Sequence, residues 1–367
     1  MMKRFLCFLC NNNHNGFFPL IIILGFLLLG VAGEISGGGA GGGAERSYGM
    51  ISWDDLRVDV SWRQGMSSGE GLENGTRIIV VDKNGSGDST TVQGAVDMVP
   101  HNNKQRVKIC ILPGIYREKV YIPITKPYIS LIGNKKRVTD TVITWNDKAS
   151  DKDINGVELG TYRTATVAID SDYFCATGIT FENTIVAKPG DKGRQAVALR
   201  ITGDKAMFYR VKFLGGQDTL LDDMGTHYFY QCHIQGSVDF IFGTARSLYE
   251  QCVITSTAES FGAIAAHHRV SPTDDTGFSF VRSIINGSGK VLLGRAWGNY
   301  SRTIYSYCYI EDVITPLGWD DWNDPSRQRG SGANTQGWVP WAKTFSYEEV
   351  RPFVDRKYIK GEQWLNL

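Results

Sequence analysis

Glutamine and aspartate residues recur at an interval of 21 to 22 positions in the middle of this chain. Gln195 and Gln217 lie 22 positions apart, and Asp218 and Asp239 lie 21 apart, each within a short apolar segment. In a solenoid with a repeat of about 20 to 25 residues, side chains one repeat apart share a face, roughly 4.8 Å from each other. The spacing therefore predicts that two amides and two carboxylates converge on one surface.

Two carboxyl groups at that separation do not ionise independently, so one tends to stay protonated while the other stays charged. Such a pair suits a nucleophile and a general acid, and neighbouring amide donors would stabilise an oxyanion. The same spacing would also suit a structural ladder of polar residues along the coils. Spacing alone leaves both interpretations open.

Short runs of β-branched and aromatic residues succeed one another from residue 76 to about residue 310, and such runs predict strands. They lie at residues 77–81, 107–112, 128–133, 166–169, 196–200, 206–211, 227–232 and 247–254. Helical patterns are confined to residues 91–99, which precede Pro100 and predict a short N-terminal capping helix, and to residues 346–350.

Two of the strand-like runs resemble each other. Residues 229–234 read Phe-Tyr-Gln-Cys-His-Ile and residues 249–254 read Tyr-Glu-Gln-Cys-Val-Ile, an offset of 20. This repeat favours an all-β fold, a right-handed parallel β-helix, with residues 315–341 as a long external loop. A β-sandwich or barrel would also contain many short strands, but it requires no corresponding residues at this interval.

The N-terminus has the pattern of a secretory signal peptide. Lys3 and Arg4 precede a polar stretch and then an apolar run at residues 17–31, which ends in small residues. We expect cleavage to remove residues 1–33, and a retained membrane anchor is the alternative. The run is short for a membrane span, so the signal peptide is favoured.

Composition divides the rest of the chain in two. Residues 37–43 are almost all glycine, which predicts a flexible linker within a Gly-rich linker and N-terminal extension at residues 34–75. Within it, residues 53–62 carry two tryptophans, and we expect this segment to dock on the folded part. Residues 76–367 are predicted to form the catalytic domain.

Removal of the signal peptide would leave a nearly neutral protein. It would take away Lys3 and Arg4 from 39 basic residues, leaving 37 against 38 acidic ones. This balance gives no support to a nucleic-acid partner, and a polyanionic substrate would have to be held by local features.

Five cysteines follow the predicted signal peptide, at positions 110, 175, 232, 252 and 308. Cys232 and Cys252 lie 20 residues apart and would either pair or stack as buried free thiols. No Cys-x-x-Cys or zinc-ligand spacing occurs, so no metal or other cofactor is predicted. Secretion would make four sequons candidates for glycosylation, at Asn74, Asn84, Asn286 and Asn299.

Five segments carry distinctive residues in a distinctive order: 114–118 (Gly-Ile-Tyr-Arg-Glu), 195–200 (Gln-Ala-Val-Ala-Leu-Arg), 216–220 (Gly-Gln-Asp-Thr-Leu), 236–243 (Gly-Ser-Val-Asp-Phe-Ile-Phe-Gly) and 293–297 (Leu-Gly-Arg-Ala-Trp). Together they resemble the signature motifs of the plant and bacterial pectin methylesterases, or pectinesterases. These are carbohydrate esterases built on a right-handed parallel β-helix. The resemblance runs from about residue 76 to the C-terminus, and the inhibitor-like pro-region of many plant members has no counterpart.

The resemblance implies a role for each polar residue at the repeat positions. Asp239 matches the nucleophile, and Asp218 matches the general acid that later acts as a base. Gln195 and Gln217 match the glutamines that stabilise the oxyanion, and Arg295 matches the guanidinium that pairs with the nucleophile. Gln195 and Arg295 are also expected to contact substrate.

The expected electrostatics agree with these roles. A bidentate arginine would favour the ionised form of Asp239, and the charge of Asp239, with apolar neighbours, would raise the pKa of Asp218. A structural ion pair between Asp239 and Arg295 is the alternative. Tyr116 and Glu118, in the first motif, are expected to be structural: a packed tyrosine, and a carboxylate that accepts hydrogen bonds from turn amides.

Three aromatic residues match positions that line the sugar-binding cleft of the family, namely Trp297, Trp319 and Tyr162. Aromatic faces suit stacking on pyranose rings. The sequence departs from the family at Gly216, where many plant relatives have tyrosine, and at Ala296, where proline is usual. Loss of the aromatic residue at 216 suggests weaker substrate contacts there.

The implied function is a secreted carbohydrate esterase that removes methyl groups from homogalacturonan, the main chain of pectin, in the plant cell wall (apoplast). Two alternatives differ in class: a β-helix glycoside hydrolase that uses Asp222 and Asp223, and a wall protein that binds pectin weakly turned over or not at all. The hydrolase lacks its family's other motifs here. We expect a monomer without stable membrane association, with methyl-esterified homogalacturonan as substrate and a proteinaceous pectinesterase inhibitor as a candidate partner.

Overall fold

The computed structural model describes residues 50–58, 72–73, 76–187, 191–328 and 342–367, and almost all regular structure in it is β. The strands are β1 (Ile51–Ser52), β2 (Leu72–Glu73), β3 (Thr76–Val81), β4 (Val107–Ile111), β5 (Gly114–Arg117), β6 (Val120–Ile122), β7 (Ile129–Ile132), β8 (Thr141–Trp145), β9 (Val167–Ile169), β10 (Cys175–Thr177), β11 (Thr180–Asn183), β12 (Leu199–Ile201), β13 (Ala206–Tyr209), β14 (Lys212–Leu214), β15 (Leu220–Asp222), β16 (Thr226–Tyr230), β17 (His233–Gly236), β18 (Val238–Gly243), β19 (Arg246–Glu250), β20 (Val253–His267), β21 (Gly277–Val281), β22 (Ile284–Arg295), β23 (Thr303–Ser306), β24 (Tyr309–Ile310), β25 (Trp319–Asp320) and β26 (Leu365–Asn366).

The strands stack into three parallel faces, and successive coils of the chain add one strand to each. The first face has the order β3-β4-β7-β10-β13-β16-β19-β21-β23. The second runs β5-β8-β11-β14-β17-β20-β22-β24, and the third runs β6-β9-β12-β15-β18-β20-β22-β25. The long strands β20 and β22 belong to both the second and the third face. Except for the antiparallel β2–β3 pair, these strands pair in parallel, so the fold is a parallel β-helix.

The internal repeat read from the sequence is a true structural repeat. Phe229 in β16 pairs with Tyr249 in β19, and Ile234 in β17 pairs with Ile254 in β20. Both pairs are 20 residues apart, as the two similar fragments predicted. Each coil therefore places its side chains directly over those of the previous coil.

Aromatic rings form a continuous stack inside the coils. Phe208, Phe229, Tyr249, Phe280 and Tyr305 follow one another with centroid separations of 4.5 to 4.8 Å and interplanar angles of 15° or less. All five are buried. Rings at this distance gain contact energy beyond the burial of their apolar area, so the stack holds successive coils in register.

The five cysteines of the described chain are free and buried, which answers the question about Cys232 and Cys252. Their Sγ atoms lie 3.4 Å from the carbonyl oxygens of Phe208 and Phe229, respectively, one coil back. Cys308 repeats the arrangement with Phe280. The thiols form rungs of a ladder instead of a disulfide bond.

Short helices occur only at the ends and in the loops of the described chain: α1 (Val92–Asp97), α2 (Gly160–Arg163), α3 (Tyr347–Val350), and 3₁₀ turns at Trp53–Leu56, Val138–Asp140, Pro325–Arg327, Arg351–Phe353 and Gly361–Gln363. The predicted capping helix is α1, which begins where Thr91 accepts a hydrogen bond from the Gly94 amide. Glu118 accepts hydrogen bonds from the Val92 and Gln93 amides, at 2.8 and 2.9 Å, which confirms its structural role. No helix among the described residues is long and apolar enough to cross a membrane.

The N-terminal and C-terminal segments pack together on the outer side of the first face. Strand β1 pairs with β26, and Ile51 lies opposite Leu365. Trp53 packs edge-on against Tyr209 at 4.9 Å, and Asp55 pairs with Arg106 at 3.4 Å. The expected docking of this segment is confirmed for its described part, although the rest of residues 53–62, the predicted signal peptide and the glycine linker lie outside the described residues.

The aromatic stack predicts a large effect of truncation at its centre. We expect Phe229→Ala to lower the free energy of unfolding by about 3 to 5 kcal/mol, because a cavity replaces a ring that contacts rings on both sides. Urea denaturation followed by tryptophan fluorescence would measure the change. Phe261→Ala, at an exposed phenylalanine, is the control and should change stability by less than about 1 kcal/mol. Equal effects of the two variants would contradict a stabilising stack.

Candidate active site

The coil register brings together the four polar residues with the 21- to 22-residue spacing. The Ala196 amide donates to the Gln217 carbonyl and the Asp218 amide to the Val238 carbonyl, each at 3.1 Å. In parallel pairing, these bonds set Gln195 beside Gln217 and Asp218 beside Asp239. The convergence predicted from the sequence is therefore present in the backbone.

A local irregularity explains why the glutamines are 22 residues apart and the aspartates 21. The amides of Ala198 and Leu199 both approach the carbonyl oxygen of Thr219, at 2.8 and 3.3 Å. One extra residue is thus accommodated between Gln195 and β12, in the manner of a β-bulge. Beyond it, Leu199 pairs with Leu220 at the 21-residue interval.

Both aspartates have a backbone conformation that L-residues rarely adopt. The φ angle is 65° at Asp218 and 47° at Asp239. At Asp239 this coincides with a register shift between Val238 and Ile241 in the pairing of β18 with β20. Left-handed residues of this kind cost about 1 to 3 kcal/mol each and cluster at functional sites.

Arg295, the last residue of β22, grips the carboxylate of Asp239 at two points. Its Nε donates to Oδ1 at 2.9 Å, and one terminal nitrogen donates to Oδ2. The guanidinium also lies under the indole of Trp322, 3.9 Å from the ring centroid. The fork and the ring together fix the orientation of both charged groups.

Burial and charge separate the two aspartates. Burial raises the pKa of Asp218 well above its ordinary value, and the negative charge of Asp239 raises it further. Burial also raises the pKa of Asp239, but the hydrogen bonds and charge of Arg295 oppose that rise. On raising the pH, Asp239 therefore loses its proton first, and Asp218 retains one. This asymmetry suits a nucleophile beside an acid.

The side-chain amides of Gln195 and Gln217 are half-buried, and no described residue forms a hydrogen bond with them. Gln217 lines a groove of about 570 Å³ beside the aspartates. A true amide ladder does occur on the outside of the coils, where Gln231 donates to Gln251 at 3.0 Å. The two glutamines at the site are not part of such a ladder, so their donors are available for a ligand.

Gly216 allows the chain to fill space in which many relatives have an aromatic ring. A methyl group at position 216 would lie 3.1 Å from the carbonyl oxygen of Ile185 and 3.5 Å from the amide nitrogen of Ala187. Both residues line the same groove. The backbone at residues 185–187 therefore forms a wall of the groove at this point.

Trp297 and Tyr162 present aromatic faces to solvent, as predicted. Trp297 is 38% exposed, and its indole lies 6.2 Å from the ring of Phe242, which follows Asp239 in β18. Tyr162 is 48% exposed and lies above Arg200, whose guanidinium is 4.0 Å from the ring centroid. Tyr162 lines a separate hollow of about 200 Å³ towards the N-terminal coils.

The prediction for Trp319 is wrong. Only 2% of this residue is exposed, because β25 turns the indole inward against Tyr305, where it offers no face to a sugar. Trp322, three residues later, is 39% exposed and covers Arg295. Both tryptophans belong to the segment Gly-Trp-Asp-Asp-Trp at residues 318–322, and the sequence does not indicate which of them faces outward.

The candidate glycosylation sites differ in accessibility. Asn84 is exposed in a turn, Asn299 is half-buried, and Asn286 is half-buried with its side-chain oxygen accepting a hydrogen bond from Thr255 at 2.8 Å. Asn74 lies outside the described residues. All four stay predictions. Among the described residues, no group of three or more His, Cys, Asp or Glu side chains is arranged to hold a metal ion.

The family model described as Pectinesterase matches residues 78–362. This chain belongs to the pectinesterase family. It is 61% identical over 342 residues to pectinesterase QRT1 of Arabidopsis thaliana, covering 86% of this chain and 90% of that protein. It is also 43% identical over 309 residues to probable pectinesterase 8 of the same plant, covering 79% and 77% of the two chains.

Solved structures of the family share the fold. The pectin methylesterase from carrot superposes with a TM-score of 0.71 at 33% identity, covering 82% of this chain and 96% of that one. The pectin methylesterase from Aspergillus niger gives a TM-score of 0.67 at 26% identity, covering 82% and 99%. These matches confirm the right-handed parallel β-helix and identify the chain as a pectinesterase-type enzyme.

The Asp239–Arg295 pair makes a prediction about pH. We expect Arg295→Ala to lower pectinesterase activity and to move the acid limb of the kcat/KM profile to higher pH by about 1 to 3 units. Without the guanidinium, burial alone sets the pKa of Asp239, so the carboxylate forms only at higher pH. Steady-state kinetics across a pH series would measure the shift.

Arg137→Ala is the control for this experiment, because Arg137 is exposed and pairs with Asp140 at 2.8 Å away from the site. Its profile should match that of the wild type. An acid limb that stays in place in Arg295→Ala would show that Arg295 does not set the ionisation of Asp239.

Proposed function

We propose that this protein hydrolyses the methyl esters of homogalacturonan, releasing methanol and leaving pectate, with Asp239 as nucleophile and Asp218 as general acid and base. The observation that carries the proposal is the unequal environment of two adjacent carboxyl groups. Arg295 holds Asp239 by two hydrogen bonds, whereas Asp218 is buried without one from any described residue. Family membership supports the same chemistry.

In the first step, an oxygen of the Asp239 carboxylate attacks the carbonyl carbon of the ester. The carbonyl π electrons move to its oxygen, and the amides of Gln195 and Gln217 donate hydrogen bonds to the resulting oxyanion. When the carbon–oxygen bond to the methoxy group breaks, Asp218 transfers its proton to the leaving oxygen, and methanol departs. The product is an acyl anhydride between Asp239 and the galacturonate. Each amide donor lowers the barrier by roughly 3 to 4 kcal/mol.

In the second step, the Asp218 carboxylate removes a proton from water, and the water oxygen attacks the galacturonate carbonyl carbon of the anhydride. Collapse of the tetrahedral intermediate breaks the bond to Asp239, which leaves as a carboxylate. The galacturonate departs with a free carboxyl group, and Asp218 is protonated again. Both aspartates thus return to their starting states.

Substrate binding is proposed to use Gln195, Arg295, Trp297 and Tyr162. The exposed faces of Trp297 and Tyr162 are suited to stack on pyranose rings on either side of the catalytic pair. Gln195 and Arg295 would contact the sugar whose ester is cleaved. The buried Trp319 is left out, and Trp322 acts through its contact with Arg295.

The proposed setting is the plant cell wall. The apolar run at residues 17–31 predicts export, and the sequons at Asn84, Asn286 and Asn299 would then be open to modification. We propose a secreted monomer whose partners are methyl-esterified homogalacturonan and a proteinaceous pectinesterase inhibitor.

The geometry does not support the glycoside hydrolase alternative. Asp222 is fully buried, and its carboxylate is occupied by His227 and by the hydroxyl of Tyr249, each at 2.5 Å. It therefore cannot pair with Asp223 across a glycosidic bond. The other alternative, a pectin-binding protein without turnover, is separated from the proposal by the assay below.

Removal of either carboxylate should abolish turnover. We expect Asp239→Asn and Asp218→Asn each to lower kcat for methanol release from methylated pectin by roughly 10³-fold or more, because each deletes a group that acts in the reaction. Asparagine is chosen because it tolerates the left-handed backbone at both positions. Methanol release by the purified domain is the measurement.

The matched control is Asp275→Asn, since Asp275 is exposed and pairs with Arg246. It should retain wild-type activity. If the wild type released no methanol, or if Asp239→Asn remained fully active, the proposed function would be rejected. Tight pectin binding without turnover would instead identify a binding protein.

Loss of a stacking face should affect binding more than chemistry. We expect Trp297→Ala to raise KM for pectin about 3- to 10-fold, which corresponds to one aromatic contact. Trp53→Ala, at a tryptophan of similar exposure that packs on Tyr209 at the first face, is the control and should leave KM unchanged. An unchanged KM in Trp297→Ala would remove this residue from the cleft.

A further inference from the structure

His268 stands beside the proposed sugar-stacking residue and has no role in the steps above. It follows directly after β20, and its amide donates to the carbonyl of Gly243 at 2.8 Å, next to Phe242. Its imidazole lies 4.5 Å from the indole of Trp297, with an angle of 39° between the rings. The ring is half-buried, so one edge remains accessible.

Arg327 completes a small group around the same indole. Its guanidinium donates to the carbonyl of Ala296 at 3.1 Å and to Asp324 at 2.9 Å. Burial lowers the pKa of His268, and the positive charge of Arg327 lowers it further, which shows that the two cations approach each other. A second positive group has therefore been placed next to a titratable imidazole.

The imidazole of His268 is alone among the described histidine rings in lacking a hydrogen-bond partner. The other rings are engaged as follows: His101 with Thr125, His227 with Asp222 and Gly203, His233 with Thr255, and His267 with the Arg302 amide. A ring that is half-buried, stacked on an aromatic plate and unpartnered has its polar atoms available for a ligand.

We propose that His268, Trp297 and Arg327 form a subsite for a galacturonate residue that carries a free carboxylate, beside the residue whose ester is cleaved. The indole stacks on the pyranose ring, and the imidazolium donates a charge-assisted hydrogen bond to the carboxylate. The charge of Arg327 adds attraction, although Asp324 offsets part of it. A methyl ester carries no charge and gains little at this position. The proposal rests on the proposed function.

The subsite should bind an uronate carboxylate more tightly in acid. The imidazolium form exists below the pKa of His268, so its contribution is present at low pH and is lost as the pH rises through that pKa. The charged groups near the ring are Arg327 and its partner Asp324 from the loop after β25. Arg269, the next residue in the chain, is directed instead to the carbonyls of Pro272 and Asp274, at 2.5 and 2.7 Å.

The test is the affinity for fully de-esterified hexagalacturonate, measured by isothermal titration calorimetry between about pH 4.5 and about pH 8, which spans the usual titration range of histidine. We expect the affinity of the wild type to fall by roughly tenfold over this range, the factor of one charge-assisted hydrogen bond. His268→Gln should lose most of this dependence. His268→Lys, which keeps a cation throughout, should retain tight binding at the upper end.

His101→Gln is the matched control, because His101 is exposed and distant from the cleft, and it should titrate like the wild type. Thermal unfolding checks that each variant is folded, and His268→Lys provides the comparison if His268→Gln is not. The same pH dependence in the wild type and His268→Gln, or the loss of tight binding at about pH 8 in His268→Lys, would overturn the subsite. Failure of methanol release would reject the proposed function instead, since the binding assay requires no turnover.

Discussion

The parallel hydrogen-bond ladder between successive coils is the constraint on which the rest of the molecule depends. Because each coil lies over the previous one at an interval of about 20 to 22 residues, a side chain at one level must tolerate a similar side chain directly above it. Rings satisfy this condition by stacking, as Phe229 does on Tyr249. Thiols satisfy it by bonding to the carbonyl of the coil below, and amides satisfy it by donating to each other.

Carboxylates are the exception, since stacking one charge on another is unfavourable. At the active site the protein places Asp218 and Asp239 on neighbouring coils and then breaks their equivalence with Arg295, which arrives from a later coil. The same geometry that repeats the aspartates thus requires a third residue to differentiate them. The result is one charged and one protonated carboxyl group in a single half-buried site, maintained by the solenoid and by two left-handed residues.

The sequence predicted those parts of the structure that follow from repetition or from a motif. The 20-residue offset between similar fragments gave the register, and the motif order gave Arg295, which no spacing rule would have paired with Asp239. The choice between Trp319 and Trp322 depended on the direction in which β25 turns within an external loop, and local pattern does not encode that direction. His268 was missed because its significance lies in contacts with Trp297 and Arg327, which are distant in sequence, and not in its own surroundings along the chain.

The pairing of β1 with β26 has a consequence for the order in which the molecule assembles. A solenoid can form progressively, since each coil needs only the one before it. The segment at residues 51–56, however, lies against residues from the last strand of the chain. During synthesis this early segment has no place to dock until the C-terminus has emerged, so the outer side of the first face remains uncovered while the coils accumulate. The final residues act as a clasp that closes over the beginning of the chain once the helix behind it is complete.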